Sequence, residues 1–176
     1  MTNGLGFIST DNLDHDLYTN SQTSERTLNA AIVQADISES FEEYLEIFDE
    51  FYADDLEVGS ETEEEPIRGK GRVRSLLATF LAPLHVMAEI GGLLISIRQT
   101  AIPGDAANET HSAWTLELVG VSGRSCTVSW RALRKWNGPR IVYEYHYDHQ
   151  QSGGPLTSND LNFNAATSAA GFRRPS

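Results

Sequence analysis

The chain has 176 residues, enough for one domain with a sizeable core, and a hydrophobic content of 40%. A net charge of −12 argues against nucleic acid as a partner, because an acidic surface repels phosphates. No apolar stretch approaches the roughly 20 residues of a membrane span. The N-terminus lacks the basic lead and apolar core of a secretory signal, and the single cysteine, Cys126, has no internal disulfide partner. A cytoplasmic location is therefore expected, with no membrane contact. Residues 1–23 and 150–176 carry little apolar periodicity and read as polar tails around a compact domain of residues 24–149. Of the 25 acidic residues, 14 lie between Thr27 and Ile67, a stretch without Lys or Arg that reads as a solvated helix face followed by an acidic loop.

The first predicted helix starts near Thr23 or Ser24 and runs to about Ala35, with Leu28, Ala31, Ile32 and Ala35 as its apolar stripe. Ser40 followed by Glu43 is a capping-box pattern. Phe41, Tyr44, Leu45, Phe48, Phe51 and Tyr52 then repeat at helical spacing, and Asp54 and Asp55 are expected to close that second helix. A third helix begins after the Gly69-Lys-Gly71 turn, with Val73, Leu76, Leu77, Phe80, Leu81 and Leu84 on one face, and Pro83 and Gly91-Gly92 are expected to end its run.

The period then changes from 3.6 to 2. Strands are predicted over Leu93 to Ala101, Glu109 to Gly120, Ser125 to Trp136 and Arg140 to His149, with turns at Pro103-Gly104-Asp105, Ser122-Gly123-Arg124 and Asn137-Gly138. Three helices followed by at least four antiparallel strands imply an α+β fold, with the helices on one face of a curved, mostly antiparallel sheet.

The last strand, Arg140 to Asp148, carries the chemistry. Strict alternation puts Ile141, Tyr143, Tyr145 and Tyr147 on one face and Val142, Glu144, His146 and Asp148 on the other. Glu, His and Asp on one strand face need water or partners, so that face is expected to line a partly enclosed cavity. A single β-bulge would change which residues point inward. Arg134 is a plausible cross-strand partner for Glu144.

This order of elements, together with Phe51-Tyr-Ala-Asp-Asp-Leu-Glu-Val58, Ile67-Arg-Gly-Lys-Gly71, Gly104-Asp-Ala-Ala107 leading into Ser112-Ala-Trp-Thr-Leu116, and Trp136-Asn-Gly-Pro-Arg-Ile-Val142 running to Tyr147-Asp148, resembles the SnoaL-like branch of the NTF2-like superfamily. The resemblance implies an NTF2-like cone with a deep pocket between helices and sheet, and a homodimer through the sheet's outer face. It does not fix an activity, since related folds host polyketide cyclases, ketosteroid isomerases, epoxide hydrolases and non-catalytic modules. The isomerase pattern fails at Ser60 and Ala132. The epoxide hydrolase pattern lines up with Ala113, Thr115 and His146 and lacks two of its three polar groups.

A cyclase-like aldol or proton transfer asks only for an apolar pocket and one well-placed acid/base. The catalytic candidates are His146, with Asp148 to orient it, and Glu144 beside them. Tyr52, Trp114 and Trp130 are expected to line the pocket, with His85 at its mouth or on the surface. No metal or organic cofactor is expected, because His146, Asp148 and His149 lack a matching distant pair of ligands. The expected partner is a small hydrophobic keto compound, with a non-catalytic ligand-binding or accessory role as the alternative.

Overall fold

The structure, a computed structural model, describes residues 10–35, 40–89, 91–103 and 106–154. The rest of the two expected tails and the Gly104-Asp105 turn lie outside the described residues. Nine elements follow in order: α1 (Thr10–Gln34), α2 (Phe41–Phe51), β1 (Tyr52–Ser60), β2 (Ile67–Arg68), α3 (Lys70–Glu89), β3 (Leu93–Pro103), β4 (Glu109–Gly120), β5 (Ser125–Asn137) and β6 (Arg140–Ser152). The six strands form one sheet in the order β2-β1-β6-β5-β4-β3.

Local chemistry explains the helix starts and turns. Ser40 caps α2, its hydroxyl accepting from the Glu43 backbone N–H at 3.4 Å. Gly69 (φ 89°) and Gly138 (φ 58°) sit in the left-handed region where a Cβ would be strained, so these glycines make the turn into α3 and the β5–β6 hairpin.

Several expectations need correction. Helix α1 begins at Thr10, not near Thr23, because its first half is polar and gives no apolar stripe to read. The helical spacing that includes Tyr52 does not continue the helix. The backbone turns extended there, and Tyr52 to Ser60, with Asp54 and Asp55 exposed on it, is a strand and not a helix cap. That strand runs parallel to β6, pairing Glu57 with Tyr143 and Ser60 with His146, so the sheet is mixed. Pro83 sits inside α3 without ending it.

The main core joins Leu28 and Ile32 of α1, Phe48 and Phe51 of α2, Tyr52 and Leu56 of β1, and Trp114, Ala132, Trp136 and Ile141 of the sheet. Leu28, Leu56 and Ile141 are fully buried, each contributing about 1.5–3 kcal/mol of transfer free energy. Trp136 belongs to this core and not to an outer surface. Its indole N–H donates to Thr110 Oγ1 at 2.7 Å. No helix among the described residues is long and apolar enough to cross a membrane, which says nothing of a β-barrel.

Candidate functional site

Between helices and sheet lies a cavity of about 480 Å³. Its walls are mostly apolar: Leu28 and Ile32 of α1, Tyr44, Ile47 and Phe48 of α2, Val73, Leu77, Phe80, Leu81 and Leu84 of α3, and Ile97, Leu116, Leu118 and Val128 of the sheet. Trp114 and Trp130, cross-strand partners, stack with ring centroids 5.9 Å apart and planes 3° from parallel, giving the cavity a flat aromatic wall. The charged and imidazole groups on its wall are Arg134 of β5 and Glu144, His146 and His149 of β6, and Tyr44 and Tyr52 line it as well.

Two irregularities in β6 determine which of its side chains face inward. Lys135 pairs with Tyr143 but Trp136 pairs with Ile141, so Val142 is the extra residue of a bulge and Ile141 turns into the core. Farther on, Arg131 pairs with Tyr147 and Ser129 with Gln150, which leaves Asp148 and His149 together opposite Trp130. Asp148 takes a left-handed conformation there, φ 55°, which aspartate tolerates better than most residues. The second bulge exchanges the faces. His149 lines the cavity, whereas Asp148 pairs with Arg131 Nε at 3.4 Å and accepts from Gln150 Nε2 at 3.1 Å. Asp148 therefore does not orient His146.

Glu144 does. His146 Nε2 lies 2.5 Å from Glu144 Oε1. The other oxygen of Glu144 accepts from Arg134 Nε at 2.5 Å and from the Tyr52 hydroxyl at 2.7 Å. Arg134 continues inward, its Nη1 donating to Glu25 Oε1 at 2.8 Å and to Ser112 Oγ at 3.3 Å. Glu25 also accepts from Thr110 Oγ1 at 2.8 Å, and the guanidinium lies 5.3 Å from the Trp114 ring centre. The result is a chain, Glu25–Arg134–Glu144–His146, buried at one end and opening on the cavity at the other. The Arg134 side chain is 3% exposed and that of His146 30%.

Burial alone would raise the pKa of Glu144, but the charge of Arg134 beside it, together with His146, holds it well below the usual carboxylate range. A carboxylate has no proton to give, so His146 Nε2 is the donor in their hydrogen bond, and Nδ1 is left as the acceptor of the ring. The phenols nearby are shifted the other way. Burial, reinforced by the Glu144 charge, pushes Tyr44 up to about 12. Burial does the same to Tyr52 despite the opposing charge of Arg134.

The lowered pKa of Glu144 has a sign that can be tested. Its contribution to stability is fully present above its ordinary value of 4.5 and is lost as pH falls from there toward the folded-state value. Urea denaturation from pH 7 to pH 3 should show stability falling below about pH 4.5, with a shallower fall in Glu144→Gln. An equal fall in the variant would show that Glu144 is not held ionised.

Of the residues singled out from sequence, Tyr52, Trp114, Trp130, Glu144 and His146 lie on the cavity wall. Asp148 and His85 are not among its lining residues, and His85 instead packs against the Phe41 ring at 5.5 Å. Ala113 and Thr115 alternate with the cavity-lining Trp114 and Leu116, so they face outward and bear no relation to the cavity's polar groups. Sequence reasoning missed Glu25, Tyr44 and His149 as site residues. The spacing of Ser21, Gln22, Glu25 and Asn29, all buried, was the available signal for α1, but a polar stripe at helical spacing ordinarily marks a solvated face. No group of His, Cys, Asp and Glu among the described residues could hold a metal ion.

No family model and no curated protein matches the chain. Among solved structures, it is similar to a phenazine biosynthesis-related protein from Pseudomonas aeruginosa, with TM-score 0.54 and 11% identity over 96% of this chain and 95% of that one. An LEH-like epoxide hydrolase from M. tuberculosis is similar with TM-score 0.50 and 15% identity over 86% and 92% of the two chains. An NTF2-like protein of unknown function from Cytophaga hutchinsonii gives 0.48 and 12% over 72% and 97%. At such low identity the likeness is one of fold: the three helices and the six-stranded mixed sheet of the described residues form an α+β architecture shared with the phenazine biosynthesis-related protein and the epoxide hydrolase.

Proposed function

We propose that the protein binds a flat, hydrophobic carbonyl compound in this cavity and moves a proton at the carbon beside the carbonyl, as a cyclase, isomerase or dehydratase does. His146 is the acid/base and Glu144 orients it. The observation that carries this reading is the His146–Glu144 pair, 2.5 Å apart, at the wall of an otherwise apolar cavity. With Nε2 committed to Glu144, Nδ1 takes the proton, and the C–H electron pair moves into a carbon–carbon double bond as the carbonyl π pair goes onto oxygen. The Glu144 carboxylate stabilises the imidazolium that forms, and Arg134 and Tyr52 keep that carboxylate fixed. The apolar walls and the Trp114–Trp130 surface support a flat hydrocarbon body for the substrate.

The probe is 2-tetralone, a flat hydrophobic ketone with acidic hydrogens on both sides of its carbonyl. In D₂O the protein should accelerate exchange of those hydrogens above the buffer rate, as followed by NMR. Absence of both exchange and binding contradicts the proposal.

A ligand-holding role without turnover is the second reading. It is favoured by Ser60, whose hydroxyl is occupied with Thr62 at 2.9 Å, and by Ala132, fully buried beside His146, two positions where the isomerase pattern has carboxyl groups. Binding of 2-tetralone without exchange would select it.

A homodimer through the outer face of the sheet belongs to the same proposal. Alternation with the inward-facing Glu144 and His146 turns Tyr143, Tyr145 and Tyr147 outward. Tyr145 and Tyr147 stack at 6.4 Å, and Lys135 lies 5.5 Å from the Tyr143 ring centre. Half-buried tyrosines with a polar tip suit a subunit interface. Sedimentation at micromolar concentration should give about twice the chain mass of 19.4 kDa. A monomer stable at all concentrations contradicts it.

A further inference from the structure

The second bulge of β6 brings another histidine to the same cavity. His149 Nδ1 lies 3.0 Å from Glu61 Oε1, and the His149 backbone N–H donates to the same oxygen at 2.8 Å. Its ring stands edge-on to that of His146, with centroids 6.4 Å apart. Glu61 is tied to the strand from the opposite direction as well, its own N–H donating to the His146 carbonyl at 3.0 Å. The backbone and side-chain hydrogen bonds from His149 hold the Glu61 carboxyl below its ordinary range. As a carboxylate it makes Nδ1 of His149 the donor, and Nε2 has no hydrogen-bond partner among the described residues. Two histidines, each oriented by its own carboxylate and each with one ring nitrogen unpartnered among the described residues, therefore meet at one end of an apolar cavity.

We propose that His149, positioned by Glu61, is the residue that handles the substrate's oxygen while His146 handles the carbon-bound proton, so that the substrates are ketones converted through an enol. This rests on the reading of the cavity as a carbonyl site. The separation of about 6 Å suits an oxygen and a carbon that are 1,3-related across one substrate, with each heteroatom contact adding its own reach. In the forward step His149, in its imidazolium form against Glu61, gives a proton from Nε2 to the carbonyl oxygen. His146 takes a proton from the adjacent carbon, whose electron pair becomes the carbon–carbon double bond. One proton leaves and one arrives, and ketone becomes enol with no other reactant. In a ketone conjugated to a carbon–carbon double bond the product is a dienol; His146 returns its proton to the far carbon of that dienol while the hydroxyl returns its own to His149 Nε2, and the double bond has moved. The oxygen of the substrate lies against β6, and its hydrocarbon body lies over Trp114 and Trp130.

The test compares binding of 2-naphthol, a stable enol, with binding of naphthalene, by fluorescence titration of the full chain. The wild-type protein should bind 2-naphthol about tenfold more tightly, the worth of one hydrogen bond between the hydroxyl and Nε2. His149→Phe should abolish that preference, naphthalene binding by the same variant serving as its reference, because the variant keeps an aromatic ring and loses the nitrogen that meets the hydroxyl. Glu61→Gln, an exposed change that leaves the fold alone, should reduce the preference about threefold by loosening the ring. A preference unchanged in both variants, or absent in the wild type, overturns the role of His149. If His149→Phe binds neither compound, Glu61→Gln decides, and an undiminished preference there overturns it. Failure of the wild type to bind naphthalene at all is a different outcome, which removes the cavity reading and this inference with it.

Discussion

His146→Ala is expected to slow the deuterium exchange of 2-tetralone by about 10²–10⁴-fold, the usual contribution of a positioned acid/base. The fold should survive the change. The His146 side chain is 30% exposed and stands outside the main core, so its removal enlarges the cavity and leaves the surrounding walls in place. His146→Gln provides the sharper comparison. It keeps most of the volume and a hydrogen bond to Glu144 but cannot take up a proton, so it should lose a similar factor. Substrate affinity should change much less than turnover in both variants, because the apolar walls supply the binding. Full exchange rates in both would make His146 a structural partner of Glu144 and nothing more.

Arg134→Met is expected to lower folding stability by about 3–5 kcal/mol, measured by urea denaturation at neutral pH. Arg134 joins Glu25 and Glu144, and both carboxylates would remain buried without their shared cation. Lysine is a poor substitute. Its ammonium cannot present the planar fork that reaches Glu144 from Nε and Glu25 from Nη1, nor lie flat against Trp114. The origin of the loss can be separated from packing by removing the acids too. Adding Glu25→Gln and Glu144→Gln to Arg134→Met should recover a substantial part of the stability, because an uncharged cluster no longer needs a counter-ion. If Arg134→Met alone costs under about 1 kcal/mol, the network is open to water and Glu144 is not held as described.

The alternation of Tyr143 to Tyr147 was readable because a two-residue period needs only the local pattern, and it places Glu144 and His146 inside. Its ends were not readable. Both bulges arise from how β6 closes against Trp136 and Trp130 of β5, a tertiary matter that the strand's own residues do not encode. The consequence was specific: Asp148 took the place that belongs to His149. Strand β1 was hidden for a different reason. Phe48, Phe51 and Tyr52 satisfy helical spacing, and Tyr52 keeps its stack on Phe48 at 4.4 Å while its backbone has already turned extended. Glu25 was hidden because one glutamate in a polar helix looks solvated. Only the fold brings it under Arg134, 109 residues away in sequence. The architecture was legible in the change of period near residue 90, and the His146 end of the site in one strand. The buried end needed three elements that are remote in sequence.

The most direct measurement is a long-range ¹H–¹⁵N correlation spectrum of the imidazole rings, recorded at alkaline pH with and without 2-tetralone. Neutral His146 should carry its proton on Nε2, toward Glu144, and the ketone should shift its Nδ1 resonance while leaving those of His85 and His111 in place. A proton on Nδ1 of His146, or a ketone that binds without disturbing that ring, would contradict the assignment of His146 as the group that meets the substrate.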